Sequence, residues 1–225
     1  QYGGNSFFQK DGNGSLDDFL SDYLREYDAT KDTGYISIPT GNHDMPRISV
    51  QRTKRELEIV YAFLMTMPGV PFVYYGDEIG LPYRADLPSR EGGFNRTGAR
   101  TPMQWDDSEN GGFTCGKPWI KCNDNYRTIN VQSEVNDPDS LYNYYKRLIQ
   151  CYHDHADIVR QAEFRPMYEE YPGLFAYERE VNGKGLLVIV NFTNEKLMFQ
   201  KIDQKCVLCN YHETESEWLQ PYEAR

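Results

Sequence analysis

Asn42, His43 and Asp44 follow directly on the β-branched run Tyr35-Ile36-Ser37-Ile38-Pro39, separated from it by Thr40 and Gly41. A histidine and an aspartate leaving a strand can hydrogen-bond vicinal hydroxyls, and an ionised aspartate can oppose a developing positive charge. In α/β barrels the C-terminal ends of the strands are where such chemistry sits. The same residues also read as a polar turn whose Asx side chains cap backbone groups. A lone histidine with no second ligand at helical or hairpin spacing offers no metal site. Tyr74-Tyr75-Gly76-Asp77-Glu78 ends a second apolar run with two carboxylates. These could form an acid/base pair, or they could cap amides and bind a neighbouring arginine. Arg100-Thr101-Pro102-Met103-Gln104-Trp105-Asp106 places an arginine able to bind a carboxylate beside a rigid proline and a large indole. That heptad suits a loop lining a pocket, and equally a well-packed surface loop.

Three further motifs carry less. Cys206 and Cys209 form a CxxC near His212, but residues three apart on an extended segment face opposite ways and no second CxxC exists. Asp11-Gly12-Asn13-Gly14-Ser15 begins like a calcium loop and then lacks the glycine at its sixth position and the glutamate at its twelfth. Asn95-Arg96-Thr97 and Asn191-Phe192-Thr193 match the glycosylation sequon, which chance supplies often.

The elements that must hold these residues are legible from periodicity. Ser15 with Asp18 forms a capping box ahead of Leu16, Phe19, Leu20, Tyr23, Leu24 and Tyr27, the apolar stripe of a helix closed by Asp28 to Gly34. Tyr35 to Pro39 reads as a strand. Thr53 and Glu56 form a second capping box, and Leu57, Val60, Tyr61 and Leu64 follow at helical spacing until Pro68-Gly69. Val70 to Tyr75 reads as a parallel strand covered on both faces. No strong period appears from Gly76 to about Asn136, a stretch too long for an ordinary loop unless it is functional. Asp137 as N-cap with Pro138 at the first helical position predicts a third helix through Leu141, Tyr144, Tyr145, Leu148 and Ile149. Past Val159 the pattern changes to short strands, Leu174 to Val181, Leu186 to Phe192, Leu197 to Ile202 and Cys206 to Tyr211, with Asn182-Gly183 and Asn194-Glu195 as turns.

Helices alternating with strands imply parallel pairing, and two such strands are too few for a sheet. The missing strands are expected upstream of Gln1, and the chain reads as a piece cut at both ends, so the lack of a leader is uninformative. Among 225 residues, Lys plus Arg is 24 and Asp plus Glu is 34, a formal net charge of −10. That balance disfavours nucleic-acid and membrane-surface partners. Five cysteines at irregular spacing argue against a disulfide framework and favour a reducing compartment such as the cytoplasm. The oligomeric state stays open. No glycine-rich phosphate loop opens a helix, so no dinucleotide, flavin or metal cofactor is expected.

Together these segments resemble the α-amylase family of glycoside hydrolases (family 13), in particular its oligo-1,6-glucosidase and α-glucosidase branch. The likeness is carried by Asn42-His43-Asp44-Met45-Pro46-Arg47, by Pro68 through Gly80, by Ala99 through Asp107 and by Gly112-Phe113-Thr114. It runs on, in collinear order, through Gly116 to Ile120, Asn125-Tyr126, Ile129-Asn130-Val131, Leu174 to Tyr177 and Leu187 to Thr193. The resemblance implies an α/β fold: the C-terminal part of a (β/α)8 TIM barrel over residues 1–158, then a small antiparallel β-sandwich domain over 159–225. It implies that Asp44 is the carboxylate that stabilises the transition state and that His43 contacts the sugar. Asn42, Arg47 and Arg100 are expected to bind substrate, an oligosaccharide, and Glu78 to be structural. The family's nucleophile aspartate and acid/base glutamate, which retaining hydrolysis needs about 5–5.5 Å apart, would lie upstream of Gln1. Met45 stands where the branch usually has glutamine, and Ile48 to Thr53 is shorter than usual, which loosens the branch assignment. A transglycosylase or isomerase of the same fold, of the trehalose synthase or sucrose-active type, is the alternative. A non-catalytic amylase-like ectodomain of the kind that pairs with amino-acid transporters is a third reading, against which the intact Asn42-His43-Asp44 argues.

Overall fold

Ser15 starts the first helix as expected, its hydroxyl accepting a hydrogen bond from the Asp18 amide at 3.0 Å and satisfying one donor that a helix N-terminus leaves open. A computed structural model describes residues 14–90, 96–168, 171–199, 203–214 and 217–225. The start of the calcium-like loop, Asn95 of the first sequon, and residues 200–202 of the expected strand lie outside the described residues. In chain order the elements are α1 (Leu16–Thr30), β1 (Ser37–Pro39), α2 (Lys54–Thr66), β2 (Val70–Phe72), α3 (Val131–Asn136), α4 (Leu141–Asp154) and α5 (Ala156–Gln161). They continue with β3 (Glu163–Met167), β4 (Leu174–Val181), β5 (Lys184–Asn191), β6 (Leu197–Met198) and β7 (Trp218–Leu219). The second capping box also forms: the Thr53 amide donates to Glu56 Oε2 at 2.7 Å and the Glu56 amide to Thr53 Oγ1 at 3.4 Å.

β1 and β2 pair in parallel. The Val70 amide donates to Ile36 O at 2.8 Å and the Thr40 amide to Phe72 O at 2.9 Å, so residue numbers rise together along both strands. The second strand is shorter and more exposed than its apolar run predicts. It ends at Phe72 because the Tyr74 amide leaves the ladder for the Thr40 hydroxyl at 3.0 Å. Val70 and Phe72 are exposed because each strand of the pair has one neighbour among the described residues.

The described residues cluster into two compact units. The first takes them from 1–38, 58–70 and 148–225. Its sheet has the order β3-β4-β5, antiparallel throughout, with Leu174 opposite Asn191 and Val181 opposite Lys184 in the longer ladder. Alternation along β4 sends Phe175, Tyr177 and Arg179 to one face and Leu174 and Ala176 to the other. On the first face Phe175 meets Phe19 and Phe63 edge-on or tilted, with centroids 6.2 and 5.8 Å away. Leu174 and Ala176 pack instead with Ile189, Phe199 and Leu219, beneath the β6–β7 ladder. Arg179 is 1% exposed. Its guanidinium donates to the carbonyls of Thr66 at 2.6 Å, Val159 at 2.9 Å and Ala162 at 2.9 Å. It thereby caps the C-terminal ends of α2 and α5 without a carboxylate partner among these bonds.

The second unit takes residues 39–57 and 71–147. Ile79, Leu81 and Met103 form its small apolar core, flanked by Ile129, Val131 and Tyr142. The long stretch after Gly76 is irregular, yet it is tied to itself. The Trp105 amide donates to Gly111 O at 2.7 Å, and the Val131 and Gln132 amides return to Gln104 O and Trp105 O at 2.9 and 3.0 Å. Cys122 is buried within it and its thiol donates to Asn110 O at 3.0 Å, whereas Cys115 is exposed.

Four expectations are corrected. The cap of α4 is Ser140, whose hydroxyl accepts from the Asn143 amide at 3.1 Å. Asp137 instead accepts from the Asp139 amide at 2.9 Å and closes α3, a short helix that periodicity did not reveal. β3 was also hidden, because Pro166 argues against a strand; the proline is tolerated here since β3 lies at the sheet edge. Residues 206–211 do not form a strand. Asn210 meets Ala224 at this one point, its amide donating to Ala224 O at 3.3 Å and its Oδ1 accepting from Ala224 N at 2.9 Å, and the partner of β6 is β7.

Candidate active site

Asp44 lies in the turn beyond β1. The Asn42 side chain makes that turn, its Oδ1 accepting from the Asp44 amide at 2.8 Å, while its amide nitrogen donates to Met45 Sδ at 3.3 Å. The Asx-turn reading is therefore realised in this loop. The Asp44 carboxylate is partly open to solvent and is gripped on Oδ1 by two guanidinium groups, Arg96 Nη1 at 2.7 Å and Arg100 Nη2 at 2.9 Å. Its Oδ2 faces His43 Nε2 at 3.5 Å. Arg100 also donates through Nε to the His43 carbonyl at 2.9 Å, so one side chain fixes both residues. Desolvation works against the charge on Asp44, but the hydrogen bonds from Arg96 and Arg100 outweigh it and hold the carboxyl below the usual carboxylate range. The result is a fixed, ionised acceptor with one face to solvent, beside an exposed imidazole. Such a pair can hold sugar hydroxyls and stabilise a cationic transition state.

The structure brings together Asn42, His43, Asp44 and Arg100 as the sequence predicts, and adds Arg96. Sequence reasoning missed Arg96, although the four-residue spacing from Arg100 was there to see. A 3-10 turn at Thr97–Ala99 lies between the two arginines and both reach the same carboxylate.

Arg47 is corrected from substrate contact to scaffold. It is 2% exposed, and its guanidinium pairs with Asp77 at 3.1 Å and donates to the Tyr75 and Ala99 carbonyls at 2.6 and 3.0 Å. Spacing in sequence cannot tell an arginine that points inward from one that points out. Asp77, buried, thus binds a neighbouring arginine instead of acting with Glu78 as an acid/base pair; burial pushes its carboxyl up to about 6 against the pull of Thr40 and Arg47. Trp105, Phe113 and Trp119 are exposed. In the CxxC, Cys206 is exposed while the Cys209 thiol donates to Glu223 Oε1 at 3.4 Å, and burial raises the Cys209 thiol to about 12. Among the described residues no group of three or more His, Cys, Asp and Glu side chains could hold a metal ion, and no helix is long and apolar enough to cross a membrane.

A helix linking two parallel strands, with a polar cluster just beyond the C-terminal end of the first, is the arrangement found in α/β barrels. The chain belongs to the alpha-amylase family: the alpha amylase catalytic domain matches residues 12–162, and its fold is of the TIM-barrel kind. An oligo-1,6-glucosidase of Halalkalibacterium halodurans is 33% identical over 93% of this chain and 45% of its own length. The crystal structure of Bacillus licheniformis trehalose-6-phosphate hydrolase matches with a TM-score of 0.77 at 26% identity, covering 92% of this chain and 45% of that one. A trehalulose synthase mutant in complex with Tris matches with a TM-score of 0.80 at 27% identity, covering 93% and 46%. The chain spans a little under half the length of these curated relatives.

Proposed function

We propose that the protein carrying this chain is a retaining α-glucosidase acting on short α-glucosyl oligosaccharides. Asp44 is the carboxylate that binds sugar hydroxyls and stabilises the oxocarbenium-like transition state, with His43 and Asn42 beside it and Arg96 and Arg100 holding it in place. The observation that carries this reading is the ionised, solvent-facing Asp44 carboxylate under two arginines in the turn beyond β1. The nucleophile and the acid/base belong to segments outside these 225 residues, so the chain alone is inactive in this reading. Residues 1–158 are the closing part of the catalytic barrel, and 159–225 an all-β domain of the sandwich type. A change of architecture close to this point is supported by the end of α5 at Gln161 and the start of antiparallel strands at Glu163.

The likeness to a trehalulose synthase supports a second reading, in which a sugar replaces water as the acceptor. One assay separates the two. The full-length protein is given a chromogenic α-glucoside, an α-1,6-linked disaccharide and sucrose, and the products are resolved by chromatography. Free glucose from the first two is the expected result. Conversion of sucrose to an isomer with little free glucose would replace the first reading by the second, and no turnover of any of the three would reject both.

A further inference from the structure

A buried acidic group behind the site has so far been given no part in it. Asp77 is fully buried. Its Oδ2 accepts from the Thr40 hydroxyl at 2.6 Å and its Oδ1 from Arg47 Nη1 at 3.1 Å. The guanidinium of Arg47 lies over the rings of Tyr74 and Tyr75, 4.8 Å from each centroid, and its Nη2 reaches the Ala99 carbonyl at 3.0 Å. Ala99 ends the 3-10 turn that Arg96 and Arg100 flank. We propose that Asp77 is a positioning residue that, through Arg47, holds this turn so that Arg96 and Arg100 meet on Asp44. The proposal rests on the reading of Asp44 as the stabilising carboxylate.

The packing leaves Arg47 little choice of position. Gly76 takes a φ of +84°, and a Cβ there would lie 2.7 Å from Leu81 and 3.3 Å from Arg47 Nη1. A side chain would therefore press on the guanidinium as well as strain the backbone. On its other side the turn is held by Gly98, whose added Cβ would fall 2.2 Å from the Arg84 carbonyl oxygen. The turn is thus held by the Arg84 backbone, by the Arg90 amide on Thr97 Oγ1 at 3.1 Å and, from the buried side, by the Arg47 guanidinium, and of these three the last depends on a charge. Removing the Asp77 charge leaves a buried cation facing carbonyl oxygens without its countercharge, an arrangement that relaxes by movement. Movement of the guanidinium loosens its bond to Ala99, and the turn between the two arginines on Asp44 loses that support.

The test uses Asp77→Asn, Arg47→Met and the double variant in the full-length protein. Amide hydrogen exchange is read for segments 42–45 and 96–101, with β4 and β5 as the control. Turnover of a chromogenic α-glucoside is read per folded molecule. Each single variant should speed exchange severalfold in both segments and leave the control unchanged. Turnover should fall by between about tenfold and a hundredfold, as misplaced catalytic groups do, with KM moving less than about threefold. The double variant should be no worse than the worse single variant, since the two residues act as one unit. Unchanged exchange at 96–101, or a lowered unfolding temperature with unchanged turnover per folded molecule, would overturn the proposal, and so would losses that multiply in the double variant. If the unmodified protein turns over no α-glucoside, the proposed function fails and the exchange measurements alone decide the positioning role. Should Arg47→Met not fold, Arg47→Lys serves, because an ammonium cannot span Asp77 and Ala99 as the planar fork does.

Discussion

The neighbours of Asp44 hold its carboxyl in place and lower its pKa, and that dependence can be measured. Asp44→Asn in the full-length protein should keep the fold and reduce turnover by about 10²–10³, equivalent to about 2.7–4 kcal/mol of lost transition-state stabilisation. Circular dichroism with steady-state kinetics checks both halves of that expectation. The pH behaviour follows from the direction of the shift. A carboxyl lowered in the fold contributes stability above its unfolded pKa and loses it only as pH falls through the still lower folded value. Carbon-13 NMR of the Asp44 carboxyl should therefore show an ionised group down to the ordinary carboxylate range, and Arg96→Ala should move its titration up towards the unshifted value of 3.8. Asn42, His43, Asp44 and Arg100 were legible in the sequence because a strand end and a short motif fix where they stand. Arg96 and Arg47 were not. Which of several nearby arginines turns towards the carboxylate depends on the turn at Thr97–Ala99 and on the burial of Asp77, neither of which has a period to read.

At the scale of elements, the helices with capping boxes and the ladder from Leu174 to Asn191 followed from local pattern, since cap, stripe and turn residues all agree there. The pattern failed where side-chain hydrogen bonds decide the local course of the chain. Ser140, not Asp137, caps α4, and Asn210 ties down residues that alternate like a strand through a single backbone bond and its side-chain oxygen, without a ladder. Removing a cap tests the legible part: Thr53→Ala should lower stability by about 1 kcal/mol, read from the denaturation midpoint. Arg179 tests the part that pattern could not supply. Arg179→Met strands the carbonyls of Thr66, Val159 and Ala162 in an apolar interior. Each unsatisfied group costs about 1–3 kcal/mol, so a loss on the order of 3 kcal/mol or more is expected in the same measurement.

For the molecule as a whole, the 225-residue chain by itself should release no product from a chromogenic α-glucoside, since it supplies one of the three carboxylates of the proposed mechanism. Turnover above background that disappears with Asp44→Ala would contradict this. The burial of Cys122 reaches beyond catalysis. The five thiols differ in access: Cys115 and Cys206 are exposed, while Cys122 is enclosed by the long segment after Gly76 and donates to Asn110 O. A maleimide pulse read by peptide mass spectrometry then works as a stopwatch on that segment. Cys115 should be labelled at once. If the segment is a fixed wall, Cys122 should be labelled only as fast as the whole fold opens, and denaturant should speed it accordingly. If the segment swings aside as a lid, Cys122 should be labelled early and at a rate indifferent to low denaturant. Only six residues separate the two thiols, so a single peptide digest would tell a wall from a door.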